Sequence, residues 1–512
     1  MSYTPSSSRL MKNTILLYFR MILLMCINLY TSRIVLEALG VEDFGIYNVV
    51  GGVVVMLGFL NDSMTVSTRR FLSFELGTGN RQKLHDVFVT SLNIYILIAL
   101  IVFILGETIG LWFVLEKMTI PPERMRAALW CYHISIFTAV MDILSCPYIS
   151  AIIAHEKMTF FAVISVMDAF LKLLIAFLIL YDNGDRLITY GMLIMGISVI
   201  NVALYYLYCK RKFFEISLKP CYDRERFKSI FGFVGWTLLG QVAVIGCNHG
   251  NGILVNMFHS VAANAAMSIG SQVSHAVTNL SSSFQTAFNP QITKSYAEGN
   301  YSYLQSLVFT TSKISYCLLF AAMLPVAFNI DFILDLWLDK VPELSNIFCI
   351  LFMANAIINA LSAPLNFCVM ASGNIKWFQI VTAIVYFSDL AILYFLFGMG
   401  LPPATAMWVK VSIMAVILFV RLYYAHREID CINFVTYIKY VLIPLIMMSV
   451  GSIVIALALH PFFTDLSMRF ILTIVIILAN LLLMWFVALN NNQRKSLISI
   501  IQKRKNKYVR GL

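Results

Sequence analysis

Long, predominantly apolar runs recur from one end of this chain to the other. One α-helix needs roughly 20 apolar residues to cross the hydrocarbon core of a bilayer. The runs also lack the strict alternation that a membrane barrel strand requires. They predict fourteen membrane-spanning helices, at residues 11–33, 44–66, 87–113, 126–147, 159–180, 188–209, 229–256, 263–289, 305–330, 346–370, 377–398, 403–425, 437–459 and 467–489.

The composition excludes a soluble protein. The chain is 60% hydrophobic and only 12% charged, against roughly 25% charged residues in a typical water-facing domain. The connections between the predicted spans are short, and the longest outer one is 331–345. We therefore expect an all-α polytopic membrane protein without a separate domain outside the membrane.

The basic residues predict an orientation. With the N-terminus inside, 26 of the 37 lysines and arginines fall in inner segments and 7 in outer ones. Because short cytoplasmic loops carry the excess of basic residues, both termini are expected to be cytoplasmic. The basic tail at 490–512 is then expected to bind anionic lipid rather than nucleic acid. The first span lacks a cleavage site and is expected to remain in the mature protein.

Two short matches indicate an internal repeat. Gly79-Asn80 matches Gly299-Asn300 at a shift of 220 residues, and the segment after Pro147 matches the segment after Pro364 at a shift of 217. Six spans per repeat is an even number, so the two halves would share one orientation, as in transporters built from parallel repeats. The substrate path is then expected to lie between the halves.

The repeat and the basic segment after the sixth span predict five regions. These are an N-terminal six-helix bundle at 1–209, a cytoplasmic linker at 210–228, a C-terminal six-helix bundle at 229–436, an appended helix pair at 437–489 and a basic tail at 490–512.

Two local motifs accompany this architecture. The first is the run RIVLEALGVEDFGIY from Arg33 to Tyr47, and the second is FNPQIT from Phe288 to Thr293. With the pattern of six, six and two spans, they resemble the MOP superfamily of multidrug, oligosaccharidyl-lipid and polysaccharide exporters. Within it, the chain looks most like the polysaccharide transporters, the Wzx-type O-antigen flippases.

The resemblance implies a MATE-like fold and a flippase in the bacterial inner membrane. Its substrate would be an oligosaccharide linked to a polyprenyl pyrophosphate, moved by alternating access. Its partners would be this lipid-linked oligosaccharide and membrane lipids. It would act as a monomer, would need no cofactor and would not be an enzyme. Lipid II flippases of the same superfamily carry several arginines on their first, second and eighth helices. Here only Arg20 has such a position.

Arg20 lies near the middle of the first predicted span. A charge there is costly unless it faces a cavity or a partner, and a planar guanidinium suits two-point binding of phosphate oxygens. We therefore expect Arg20 to bind the pyrophosphate. The alternative is a structural ion pair with Asp62 or Asp142.

Other charges lie inside predicted spans. Asp168 and Lys172 are spaced i, i+4, which favours a mutually neutralising pair over a substrate contact. Asp389, Lys313 and Lys410 are single charges, and the two lysines could extend toward an interface instead of touching substrate.

A stripe of neutral polar residues runs along the eighth predicted span, which contains no aspartate, glutamate, lysine or arginine. Gln272, His275, Asn279, Ser282, Thr286 and Asn289 recur at steps of three and four, which places them on one helix face. Amides and hydroxyls of this kind suit the hydroxyls of sugars, although they also serve as polar contacts between helices. The predicted substrate-binding residues are Arg20, Asn28, Lys172, Gln241, Asn248, Gln272, His275, Asn279 and Ser282.

Two competing functions stay open. A MATE-like exporter of drugs or cations needs buried acids that take up a proton, a sodium ion or a cationic drug. Its charge-coupling candidates here are Asp62, Asp142, Asp168 and Asp389. A membrane glycan polymerase or ligase would need a large outer loop, larger than the longest outer connection predicted here, 331–345.

No cysteine or histidine has metal-ligand spacing, so no metal site is expected.

Overall fold

The structure is a computed structural model that describes residues 7–55, 58–117, 121–216, 223–338, 341–459, 466–489 and 494. Within these ranges some helical side chains are left out, and those of Asp62 and Asn279 are among them. Every regular element in the described ranges is a helix, with no strand. The predicted all-helical fold class is therefore confirmed.

The described α-helices follow one another through short connections. They are α1 Ser7–Val55, α2 Gly58–Thr78, α3 Arg81–Leu105, α4 Leu111–Lys117, α5 Met125–Ala154, α6 Met158–Leu180, α7 Arg186–Lys212, α8 Arg224–Phe258, α9 Val261–Ala297, α10 Tyr301–Phe328, α11 Ile330–Trp337, α12 Ser345–Ser372, α13 Lys376–Gly398, α14 Thr405–Glu428, α15 Phe434–Tyr437, α16 Ile443–Leu459 and α17 Leu466–Leu483. Five-residue π-helical turns lie at Gly106–Gly110, Ile438–Leu442 and Met484–Ala488.

Eleven helices in the described residues are long and apolar enough to cross a membrane, so the chain is a multi-pass membrane protein. The three remaining predicted spans also fall on helices. The span at 44–66 covers the end of α1 and the start of α2, on either side of residues 56–57. The span at 263–289 lies in α9, whose polar face lowers its hydropathy, and the apolar part of the last span is short, at Leu472–Ala488.

Contacts divide the chain into two compact units. Ile15–Leu238 is called the N-terminal unit here, and Leu239–Leu512 together with Met1–Thr14 is called the C-terminal unit. The region boundaries drawn from the sequence remain a prediction. Large side chains such as Phe88, Tyr95 and Tyr132 are almost fully buried within the N-terminal unit.

The core of the C-terminal unit brings five helices together. Phe348 of α12, Leu393 of α13 and Met407 of α14 are fully buried in one apolar cluster. Val255 of α8 and Ala266 of α9 complete it. This packing fixes the five helices around the cavity described below.

A sharp bend in α1 lies inside the motif that carries the family resemblance. Gly40 has φ 76° and ψ 171°, a conformation that glycine adopts without steric cost. Just beyond it, Asp43 accepts two hydrogen bonds from Arg124, at 2.8 and 2.5 Å. Arg124 also donates to Asp185 at 2.9 and 3.1 Å. One guanidinium thus ties the bend to the start of α7, so this part of the motif has a structural role.

The first match of the internal repeat has the same local structure in both units. Gly79 and Gly299 adopt positive φ angles of 72° and 70°. Asn80 and Asn300 then cap α3 and α10, each accepting a hydrogen bond from the backbone N–H three residues later, at 3.0 and 3.2 Å. The Gly-Asn pair is therefore a helix stop followed by a helix start, used twice.

The second match also has equivalent surroundings. Pro147 lies inside α5, and Pro364 lies inside α12. Each helix is followed by a residue of positive φ, Glu156 at 57° and Gly373 at 84°. These two residues are themselves 217 positions apart, which is the shift found from the sequence.

Candidate functional site

A cavity of about 840 Å³ lies within the C-terminal unit, bounded by α8, α9, α12, α13 and α14. Its volume falls within the range of roughly 300–1,000 Å³ that is typical of small-molecule sites. Apolar side chains such as Ile253, Phe352 and Met414 form part of the wall, as in most small-molecule sites. Many of the other lining side chains are neutral and polar. They are Asn248, His249, Asn256, Asn264, Ser268, Ser271, Gln272, Ser274, His275, Thr278, Asn355 and Asn359.

Helix α9 contributes the longest polar stretch of the wall. Asn264, Ser268, Ser271, His275 and Thr278 line the cavity and recur at steps of four, three, four and three residues. This spacing keeps them on one face of the helix, because side chains three and four residues apart lie above one another. A polar face of about four turns is thus presented to a single cavity.

The predicted stripe on α9 agrees with this face only in part. Gln272 and His275 line the cavity. Ser282 is exposed and lies outside the lining, and Asn289 is buried with 7% of its surface exposed. The side chain of Asn279 lies outside the described residues. The lining face begins two turns earlier than predicted, at Asn264. It does not reach Asn289, because the end of α9 is buried within the protein.

Helix α8 supplies Asn248 and Asn256 to the wall, together with Gly252. Of the two α8 residues predicted to bind substrate, Asn248 lines the cavity. Gln241 is half-buried and lies outside the lining. Gln241 lies two turns before Asn248 on α8, in the part of the helix that precedes the cavity wall.

Glycines allow the wall helices to approach closely. A Cβ atom on Gly270 would lie 2.9 Å from the backbone carbonyl carbon of Phe348 in α12, and one on Gly250 would lie 2.7 Å from a methyl carbon of Leu390 in α13. Gly246, Gly250 and Gly252 lie inside one continuous helix. Close packing, rather than a break in α8, explains Gly250 in this structure.

Lys410 places a positive charge in the cavity wall. Its Nζ donates a hydrogen bond to Asn248 Oδ1 at 2.6 Å and lies 5.1 Å from the centre of the Phe352 ring. Asn355 donates to its backbone carbonyl at 3.2 Å. No described carboxylate lies within ion-pair distance of the ammonium, so neutral groups hold it.

Asp389 is the one carboxylate in the described lining, and it is fully buried. Its Oδ2 accepts hydrogen bonds from Cys247 Sγ and Asn251 Nδ2, both at 2.7 Å. Its Oδ1 and the Oδ1 of Asn251 are buried without a hydrogen-bond partner among the described residues. Side chains of α8 therefore donate hydrogen bonds to only one of the two carboxylate oxygens.

Arg421 lies behind the wall, and sequence reasoning missed it. The charge count places it in an inner segment, whereas it lies within α14 with only 9% of its surface exposed. Its guanidinium donates to Asn359 Oδ1 at 3.0 Å and to Ser362 Oγ at 2.6 Å. It thereby orients an amide that lines the cavity. The available signal was its position inside the predicted span 403–425, directly after the predominantly apolar run 411–420.

Arg20 belongs to the N-terminal unit and contacts an aromatic ring. Its guanidinium carbon lies 4.5 Å from the centre of the Phe161 ring. It forms no ion pair with Asp142 or with any other described carboxylate, and Asp62 lies outside the described side chains. Its Nε is buried without a described hydrogen-bond partner. Binding of a pyrophosphate by Arg20 remains a prediction.

Asp168 and Lys172 form the pair that their spacing indicates. Lys172 Nζ lies 2.9 Å from Asp168 Oδ2, and Asn201 donates to Asp168 Oδ1 at 2.7 Å. Asn28 of α1 is exposed. None of these residues lines the cavity of the C-terminal unit, so Arg20, Asn28 and Lys172 lie apart from the predicted residues Asn248, Gln272 and His275 that line it.

Lys313 has a structural contact. It is 1% exposed, and its Nζ donates to the backbone carbonyl of Ala488 at 2.7 Å. This contact joins α10 to the π-helical turn that follows α17. The described residues contain no group of three or more histidines, cysteines or acids placed to hold a metal ion.

The arrangement of helices is found in solved transporters. The chain matches an outward-facing multidrug resistance MATE family transporter of the MOP superfamily with a TM-score of 0.72 and 14% identity, covering 85% of this chain and 100% of that one. A MATE in the straight conformation matches with a TM-score of 0.70 and 14% identity, over 83% and 96% of the two chains. The fold is that of the MATE transporters.

A third match is a MOP superfamily transporter from Pyrococcus furiosus, with a TM-score of 0.71 and 14% identity over 84% of this chain and 99% of that one. The reverse polarity of its binding pocket is described as suggesting a different function. No protein-family model matches the sequence, and no curated protein matches it either. At these identities the similarity establishes the fold alone, and the Wzx-type family remains a proposal.

Proposed function

We propose that this protein is a membrane transporter that moves a lipid-linked oligosaccharide from one side of the membrane to the other. The observation that carries the proposal is the wall of the cavity, where amides, hydroxyls, one ammonium and one buried carboxylate lie among apolar side chains around a space of about 840 Å³. The MATE-type fold supports transport rather than catalysis. The cargo must be argued from the cavity, because one fold hosts many functions.

The lining matches the chemistry of sugars. Each sugar hydroxyl both donates and accepts hydrogen bonds, and each asparagine or glutamine amide offers two donors and an acceptor oxygen. Amides come from three helices, with Asn248 on α8, Gln272 on α9 and Asn355 on α12. Such a wall exchanges hydrogen bonds with a hydrated, neutral chain of sugars at little electrostatic cost.

A cationic drug fits this lining less well. It would meet the Lys410 ammonium, and the one described carboxylate of the lining already binds Cys247 and Asn251. Like charges repel strongly in a poorly hydrated site. The cavity therefore favours a polar cargo that is neutral or negatively charged.

An ion-coupled MATE-like exporter is the second candidate function. The solved transporters of this fold include MATE family members. Asp389 Oδ1 and Asn251 Oδ1, both buried without a described partner, are acceptors of the kind that a proton or a sodium ion would occupy. Under this function, Asp389→Asn abolishes export of a cationic dye.

The test follows the glycan in cells that lack the protein and carry either the wild type or a variant. Under the proposal, loss of the protein reduces surface polysaccharide and traps glycan-lipid on the inner leaflet. Gln272→Ala removes hydrogen bonds from the cavity and lowers delivery by about tenfold, since one to two hydrogen bonds are worth roughly 1.4 kcal/mol.

Gln285→Ala is the matched control, because Gln285 lies on the same helix outside the lining and donates a hydrogen bond to Ser281 of its own helix. Its delivery is expected to equal that of the wild type. Unchanged surface polysaccharide without the protein, together with increased sensitivity to a cationic dye, would reject the glycan cargo in favour of the exporter.

A further inference from the structure

We propose that the sugar bound in this cavity is acidic, and that its carboxylate binds the ammonium of Lys410. The inference rests on the proposed function and names the class of glycan. A carboxylate on a sugar ring places one negative charge among hydroxyl groups. The wall around Lys410 offers one positive charge among amides and hydroxyls.

Lys410 retains unused hydrogen-bonding capacity. An ammonium carries three N–H donors, and one of them is used by Asn248 at 2.6 Å. The other described contact is with the face of the Phe352 ring. Both partners are neutral, so neither cancels the charge. A lysine is costly inside a membrane protein unless it faces a cavity or a partner, and a carboxylate of the cargo supplies that partner.

The charges next to the cavity sum to a positive value. Lys410 lies in the wall, and Arg421 binds the wall residue Asn359 from behind. Asp389 alone opposes these two cations among the described residues of the lining. The hydrogen bonds from Cys247 and Asn251 hold this carboxylate against α8. This balance attracts one anionic group into the cavity.

The geometry favours a sugar carboxylate over the diphosphate of the lipid carrier. A diphosphate carries several charges and binds best to guanidinium groups or to several cations that converge. In this cavity a single ammonium is surrounded by neutral amides, and the nearby guanidinium of Arg421 is turned to Asn359 and Ser362. The site is therefore suited to one charge within a hydroxyl-rich ligand.

The experiment measures binding to the purified full-length protein in lipid nanodiscs. The probes are 3′-sialyllactose, which carries a carboxylate, lactose, which is neutral, and inorganic pyrophosphate. The wild type is expected to bind sialyllactose at least about tenfold more tightly than lactose, the size of one charge-assisted hydrogen bond. Added salt should weaken sialyllactose binding and leave lactose binding unchanged.

Variants then assign the preference to one side chain. Lys410→Gln keeps a polar, hydrogen-bonding side chain that is one atom shorter and loses the charge, so sialyllactose affinity should fall to that of lactose. Lys410→Arg should retain most of the preference. Lys376→Gln is the control, since Lys376 is exposed at the start of α13 and outside the lining, and its affinities should equal those of the wild type.

Three results would overturn the inference, and a fourth, obtained with a cationic dye as a further probe, would reject the proposed function. Equal wild-type affinity for both sugars would reject the acidic cargo and leave the proposed function standing. A preference that survives in folded Lys410→Gln would place the anion elsewhere. Pyrophosphate that displaces sialyllactose from wild type and loses its affinity in Lys410→Gln would assign the site to the carrier. Binding of a cationic dye without binding of either sugar would reject the proposed function itself.

Discussion

Arg124 shows how one side chain fixes a turn outside the apolar spans. Its guanidinium bonds to both oxygens of Asp43 and to both oxygens of Asp185. The three side chains are 28%, 17% and 31% exposed, so the network is partly shielded from water. Asp43 follows the bend at Gly40, and Asp185 caps α7.

We expect Arg124→Ala to destabilise the protein by about 2 kcal/mol, because hydrogen bonds to charged groups contribute roughly 1.5–3 kcal/mol and two carboxylates would be left facing each other. The measurement is thermal unfolding of the purified protein in detergent. Arg126→Ala is the control, since Arg126 is exposed two residues later on α5. If both variants melt at the wild-type temperature, the network does not hold the bend.

Residue-level predictions from the sequence succeeded where local spacing decides the contact. The i, i+4 spacing of Asp168 and Lys172 predicted their pair, and the structure has it at 2.9 Å. The environment of Lys410 was not accessible in this way. Its partner Asn248 is 162 positions away in the chain, and no local pattern encodes a contact over that distance.

At the scale of the element, α9 combines a polar face and a packing face. The polar face lines the cavity, and Gly270 lies where α9 meets α12. The period of polar residues predicted that one face of this helix is distinct. It could not set where the face meets the cavity, because that depends on the neighbouring helices α8 and α12.

We expect Gly270→Ala to destabilise the protein by about 1–3 kcal/mol, the usual cost of overpacking a filled interior. The added Cβ would lie 2.9 Å from backbone of α12, which cannot rotate away as a side chain can. Gly235→Ala in α8 is the control, because no atom lies within 4 Å of a Cβ built there. Thermal unfolding in detergent compares the two, and equal melting temperatures would contradict close packing at Gly270.

At the scale of the whole molecule, the apolar runs and the repeat predicted the architecture. The Gly-Asn turn recurs with nearly equal φ angles, 72° and 70°, because a helix stop followed by a cap depends on a few adjacent residues. The orientation in the membrane, which the basic residues predict, stays a prediction. Which cargo binds depends on the side chains that line the cavity. They come from five helices that only folding brings together, so no local sequence pattern predicts the site.

The most direct test of the account is transport by the purified protein in liposomes. A polyprenyl-linked oligosaccharide with a fluorescent label on its glycan is added to one leaflet, and the label that reaches the other leaflet is measured with a membrane-impermeant quencher. Ethidium uptake is measured in the same liposomes. The account predicts transfer of the glycan-lipid above protein-free liposomes, and a reduction of about tenfold with Gln272→Ala but not with Gln285→Ala. Transport of ethidium with no transfer of the glycan-lipid would contradict it.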